Sequence, residues 1–363
     1  MKPNEFPVDS SRNASSFKKE LIRRIIPQQT EDMTVRWART TLWTILTLSI
    51  FSIALEVWII IQEIQAYTSF DGIDEEAINT DDMSQNNGNF VIGVTYHIVY
   101  IGSILFFLLI TWNGIMHQNS LQTMSINALN IALWVYSITQ IIQTKNDLGL
   151  FFGDAPFDFK PFLFAQLPLA IIWGLFIPVY AFLSIRLRQE FAWRMYRITG
   201  GNKETKALFT CYHILLLLNK FAFCFVVGFT LLHLVLTPVS LAGLISIPIA
   251  VGVVGVAVTI AGFYAVRQEW RALMLVYQIG CLSALTFLIE RMYHSLSRGN
   301  SDLKRIEIPF IMYASISLTL SLSSFVCGIL CWMNFGKGLK EALMQEVEVR
   351  GGKREVAEID LDA

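Results

Sequence analysis

The chain has 363 residues, of which 54% are hydrophobic and only 16% charged, with a formal net charge of −1. That composition excludes an ordinary soluble domain, and the absence of a basic excess excludes a nucleic-acid binder. It is the composition of a polytopic membrane protein, and the apolar residues divide into eight stretches.

Residues 1–40 are polar and basic with no apolar h-region, so the first span is expected to act as its own insertion signal and the tail to be largely disordered. The first span is read at 42–64. A bilayer core of about 30 Å needs about 20 mainly apolar residues at about 1.5 Å rise each, and lipid forces such stretches to be helical. The loop 65–89 has no Lys or Arg and six acids: Asp71, Asp74, Glu75, Glu76, Asp81 and Asp82. Their spacing does not match a calcium loop, so a solvated loop is expected. The second span follows at 90–112 and the third at 123–142. The third is the weakest, because it carries Asn127, Asn130 and Gln140; a re-entrant third segment would leave seven spans.

The fourth span, 162–185, contains Pro168 and Pro178, and the sixth, 241–266, contains Pro248. Prolines in membrane helices bend a packed helix or free carbonyls for ligands. The 186–208 segment places Leu187, Phe191, Met195 and Ile198 on one helical face. It reads either as an amphipathic helix on the membrane surface or as an extension of the fourth span, closed by Gly200-Gly201. Its arginines, Arg186, Arg188, Arg194 and Arg197, are candidate contacts for anionic headgroups. The fifth span is 209–236. The sixth is rich in small residues (Gly252, Gly255, Ala257, Gly262) and is expected to sit centrally, where backbones approach closely. The seventh is 272–289. The eighth, 308–333, carries a stripe of Ser317, Ser321, Ser324 and Gly328, expected to be a helix–helix seam. A charged tail, 336–363, ends the chain. No internal repeat is visible.

Lys and Arg are retained on the cytoplasmic face. With eight spans and both termini in the cytosol, 21 of them fall on that side and 6 on the other, and Lys220 lies within a span. A seven-span chain would put the two basic ends on opposite sides.

Charges within spans are costly and mark candidate sites. Glu56, His97 and Lys220 form the candidate intramembrane polar cluster. Glu56 and His97 lie at matching depths, about 10–12 Å in, on consecutive antiparallel helices. Lys220 is nearer the middle and needs a carboxylate, carbonyls or water. The functional alternative is a proton- or substrate-coupling site, and the structural one a polar lock for the bundle. His213 and His233 are expected near the interfaces. Glu290, Arg291 and His294 are expected to satisfy one another or water.

The five cysteines, Cys211, Cys224, Cys281, Cys327 and Cys331, all lie in spans, which excludes loop disulfides. Cys327 and Cys331 share a face, but with no nearby His or third thiol no metal is expected there. No P-loop, G-x-S-x-G, H-E-x-x-H or His-box motif is present, so no enzyme, catalytic residue or cofactor is indicated.

Residues 190–229 carry Trp193 and Tyr196 in a W-x-x-Y pattern, Gly200 and Gly201, Tyr212, Lys220-Phe221 and Gly228-Phe229; Arg267–Arg271 (RQEWR) is a further basic–aromatic element. This region resembles the fungal UPF0658 Golgi apparatus membrane proteins. One departure is Ala222, where the family pattern suggests an acid after Lys-Phe. The resemblance implies a multi-pass Golgi membrane protein and supplies no activity or site residues.

The expectation is therefore an all-α bundle of about eight spans in the Golgi membrane. Its partners are the lipid bilayer and proteins contacting the cytoplasmic tails, and its role is non-enzymatic, in membrane organisation or trafficking. A transporter or receptor-like protein using the intramembrane charges is the second reading, and an intramembrane enzyme the third. The acid–x–acid pair Glu358 and Asp360 is read as an export signal.

Overall fold

The computed structural model describes residues 28–71, 80–152, 159–199, 203–235, 241–297 and 301–337. The described residues form eight helices and no strand: α1 Gln28–Asp71, α2 Thr80–Met116, α3 Ser120–Phe152, α4 Lys160–Thr199, α5 Lys203–Val235, α6 Leu241–Arg267, α7 Arg271–Ser297 and α8 Ser301–Met333. Each contains a segment long and apolar enough to cross a membrane, including Ser120–Asn146 of the third helix. The helices overrun the apolar stretches at many ends. Helix α1 begins at Gln28, inside the predicted N-terminal tail, and α1 and α2 extend into the acidic loop. The export motif at Glu358 and Asp360 lies outside the described residues.

The eight helices pack as two rings of four. In the first, α1 touches α2, α2 touches α3, α3 touches α4, and α4 returns to α1. In the second, α5, α6, α7 and α8 close in the same order. The rings meet mainly through α2 against α5 and α3 against α8. That joint is aromatic. Tyr100 stacks on Tyr136 at 5.2 Å, Tyr136 meets Tyr313 edge-on at 5.9 Å, and Phe225 lies 5.5 Å from Tyr313. Such offset and edge-to-face pairs supply packing without needing water expulsion, the interaction available between helices in lipid.

Three expectations about packing are resolved. Helix α4 runs unbroken through Pro168 and Pro178 to Thr199, so the 186–199 stretch is an extension of the span and not a separate surface helix. Leu187 and Phe191 are buried against Ile115, Trp37 and Leu42, which is why that amphipathic face faces protein. Arg186 is exposed, its guanidinium 5.2 Å from the Phe182 ring and 6.0 Å from Trp37; Arg188 is also exposed. The side chains of Arg194 and Arg197 lie outside the described residues. The central placement of the sixth span is corrected. Helix α6 is the least enclosed of the spans, with Ile249, Val253, Val254, Val256 and Ile260 exposed. Two of its small residues serve its inner side, where Gly255 admits Phe223 and Gly262 admits Tyr277; the β-branched outer side suits lipid. The serine stripe of α8 is a seam, with Ser317, Ser321 and Ser324 buried.

Candidate functional site

Helix α1 buries a stripe of polar residues along one face. Thr41, Ser49, Ser52, Glu56 and Glu63 are all buried, and their spacings are whole turns or close to them. The opposite face shows Trp43, Ile50, Phe51, Val57, Trp58 and Ile61 to lipid. From Thr41 to Glu63 the stripe runs about 33 Å, the full thickness of the hydrocarbon. A polar face of that length on a lipid-embedded helix is stable only if the rest of the ring covers it.

The cover includes the site. His97 of α2 places Nδ1 2.6 Å from Glu56 Oε2 and Nε2 3.5 Å from Glu63 Oε2. Gln140 of α3 donates from Nε2 to Glu56 Oε2 at 3.0 Å and lies against His97 Nδ1. The exposures of Glu56, Glu63 and His97 are 0%, 2% and 1%, so no bulk water screens this cluster. An imidazole thus sits between two carboxylates two helical turns apart on α1. A proton must lie between Nδ1 and Oε2 at that separation, carried by the ring or by the carboxyl, since both heavy atoms are otherwise acceptors. Gly93, one turn before His97, makes room: a Cβ there would lie 2.9 Å from Glu63 Oε1. Helix α4 completes the layer, where Gln166 donates to Thr144 Oγ1 of α3 at 2.7 Å.

Polar groups continue beyond the cluster. Ser49 and Ser52 on α1, Asn130 and Gln143 on α3, and Glu56 Oε1 are buried with no hydrogen-bond partner among the described residues. The polar residues that weaken the third span in sequence, Asn130 and Gln140, are therefore its inward face; the third of them, Asn127, donates to Ser184 Oγ of α4 at 2.9 Å.

Lys220 is elsewhere. Its Nζ donates to Asn113 Oδ1 at 2.7 Å and Gln122 Oε1 at 3.1 Å, while Gln122 Nε2 donates to Ile110 O at 2.7 Å and to Asn113 Oδ1 at 3.1 Å. Asn113 is 16 residues past His97 on α2, about 24 Å along the axis. The three candidate charges therefore form two sites: Glu56 and His97 meet, and Lys220 joins the amides beside the α2–α3 turn. A helical side chain leans toward its own N-terminus, which carries the ammonium from mid-span toward that turn. Neutral amide oxygens satisfy it, so the missing acid at Ala222, itself buried, is not replaced by Glu56.

Among the remaining histidines, His213 bonds Asn119 at 3.2 Å near the same turn, and His233 is buried, stacked on Phe229 and tilted against Phe310. Glu290 pairs with Arg291 at 3.3 Å and His294 at 3.5 Å. Glu63 is the residue that sequence reasoning passed over, because it stands one place from the end of the apolar stretch. Its signal was available: seven residues after Glu56 places it on the same face. The cysteines bring a second correction, since Cys211 supplies the third thiol beside Cys327 and Cys331 that their own helix lacks.

Over 276 residues, 68% of this chain and 77% of the relative, the sequence is 24% identical to a UPF0658 Golgi apparatus membrane protein of Schizosaccharomyces pombe. This extends the likeness seen in 190–229 to most of the bundle. No protein-family model and no solved structure matches the chain.

Proposed function

We propose that this chain, a multi-pass protein of the Golgi membrane related to the UPF0658 proteins, passes protons through its α1–α4 ring, with Glu63, His97 and Glu56 as the relay. The observation that carries the reading is the imidazole held between two buried carboxylates, one at each ring nitrogen. Imidazole takes up a proton at one nitrogen and releases another from the opposite one. In the relay a protonated Glu63 gives its proton to Nε2 as the Nδ1 proton moves to Glu56 Oε2, and a half-turn of the neutral ring, which carries its N–H back to the Glu56 side, resets it for the next proton.

The tight enclosure of the site favours protons over larger solutes, because a proton needs a chain of donors and acceptors rather than a cavity. Ser52 and Ser49 extend that chain along α1 from Glu56 toward Thr41. The charge bias of the loops supports an orientation with both termini in the cytosol, which makes Glu63 the lumenal entrance and the Ser52–Ser49 side the cytosolic one. The groups that reach His97 are two acids and an amide, a set suited to proton transfer.

The test is proton flux into liposomes containing the purified full-length protein and an entrapped pH indicator, driven by a potassium diffusion potential. Wild-type protein should dissipate the imposed gradient faster than empty liposomes, and His97→Gln should fall to the empty-liposome rate. Wild-type flux no faster than that of empty liposomes overturns the proposal, as does full flux in His97→Gln.

A further inference from the structure

A second cluster lies in the other ring, at the seam of α5 and α8. Cys327 and Cys331 stand one turn apart on α8, and Cys211 of α5 enters between them. Cys211 Sγ is 3.4 Å from Cys331 Sγ and 4.0 Å from Cys327 Sγ, and all three sulfurs lie within 4.8 Å of one another. We propose that these three thiols bind one copper(I) ion.

The geometry is that of a three-coordinate soft-metal site. With metal–sulfur bonds of about 2.3 Å, three sulfurs around one ion in a plane stand about 4.0 Å apart. The three are already close to those positions, so binding needs only small rotations of the side chains. The donor set argues for the ion. Thiolates select copper(I) and zinc among biological cations, while hard cations require oxygen. Among the described residues no His, Asp or Glu joins the group as a fourth ligand. Three sulfurs complete the shell of copper(I), whereas zinc held by the same three needs a water or another group as its fourth ligand. One disulfide would use two of the thiols and strand the third; all five cysteines are free.

The ion also has a way in and a counter-charge. Cys211 and Cys327 line a cleft of about 800 Å³ along the outer side of α5 and α8, with Lys203, Lys206 and Thr210 at one end. Both lysines are exposed, about one and a half to two turns from Cys211. Three thiolates and one copper(I) carry a net charge of −2, which the two ammonium groups at the mouth of the cleft offset. Copper(I) is d10 and binds here without any change of oxidation state: three S–H protons leave as three Cu–S bonds form. The site shares no residue with the α1–α4 relay, so each proposal stands or falls separately.

The test uses the full-length protein in micelles, reduced and kept free of oxygen, titrated with copper(I) held as its bicinchoninate complex. One equivalent per chain should be withdrawn from the chelator, with X-ray absorption showing three sulfur neighbours at about 2.3 Å. Cys211→Ser and Cys331→Ser should each lose this binding, and Cys224→Ser should keep it. Three results overturn the proposal: wild-type protein with all thiols reactive that leaves the chelated copper untouched, equal loss in Cys224→Ser, or a preference for zinc(II) that displaces copper(I). A Cys211–Cys331 disulfide in protein alkylated directly in native membranes would overturn it as well, and this readout needs no variant that might fail to fold.

Discussion

The α1–α4 ring encloses charge, and the α5–α8 ring encloses shape. Both close their four helices in chain order, yet the first buries Glu56, Glu63 and His97 with a set of amides, while the second is filled by Tyr277, Met274, Phe209 and thiols around glycine contacts. The difference has an energetic consequence. A hydrogen-bonded charge cluster in lipid is stable as a set and costly to break singly, because removal of one member leaves another buried and unpaired. An interface of small residues and aromatic rings responds instead to added volume.

The largest expected effect follows from that contrast. His97→Ala removes the group between the two carboxylates and should destabilise the protein by about 3–5 kcal/mol, read as a lowered thermal midpoint in micelles. The triple variant Glu56→Leu/Glu63→Leu/His97→Leu should recover most of the loss, since it leaves no unpaired charge. If the single and triple variants melt alike, the first ring is not held by its charges.

In the second ring the sensitive change is added volume. A Cβ at Gly228 would lie 2.5 Å from Tyr313 Cε1, on the joint between the rings. Gly228→Ala should therefore cost about 1–3 kcal/mol. Gly102→Ala, where nothing lies within 4 Å, is the matched control in the first ring and should be neutral or slightly stabilising. Equal effects at the two glycines would show that close packing does not distinguish the joint.

Lys220 ties the rings together from the side of α5, and its partners Asn113 and Gln122 also bond each other. Lys220→Met should cost on the order of 1 kcal/mol in thermal unfolding and should leave the His97-dependent proton flux intact. Loss of flux in Lys220→Met would join the two sites functionally. The smallest effect is expected at Asn127→Ala, which removes one interhelical bond to Ser184 of α4 and should cost about 0.6 kcal/mol.

Much of this architecture is legible in the chain itself. Lipid satisfies no backbone group, so an apolar run of sufficient length is a helix, and eight such runs give eight helices able to span a membrane. The cost of burying charge likewise singles out Glu56 and His97 before any coordinates, and matching depth on consecutive antiparallel helices makes their contact geometrically possible. Helical periodicity puts the serines of α8 on one face. These inferences are local or involve neighbouring helices, where spacing along the chain translates directly into space.

Tertiary structure decided the rest, because hydropathy measures what a helix contains and not which neighbour covers it. Small residues permitted α6 to be central, yet its β-branched outer face is as soluble in lipid as it would be in a core, so only packing could place it at the edge. Glu63 stood at the end of an apolar run and became buried because Gly93 of the next helix left room for its carboxylate. Lys220 found its amide partners about 24 Å along α2 from His97, and Cys211 met Cys327 and Cys331 across 116 and 120 residues of chain. Periodicity reports the face of one helix; the convergence of faces from distant helices is decided by the closure of the two rings.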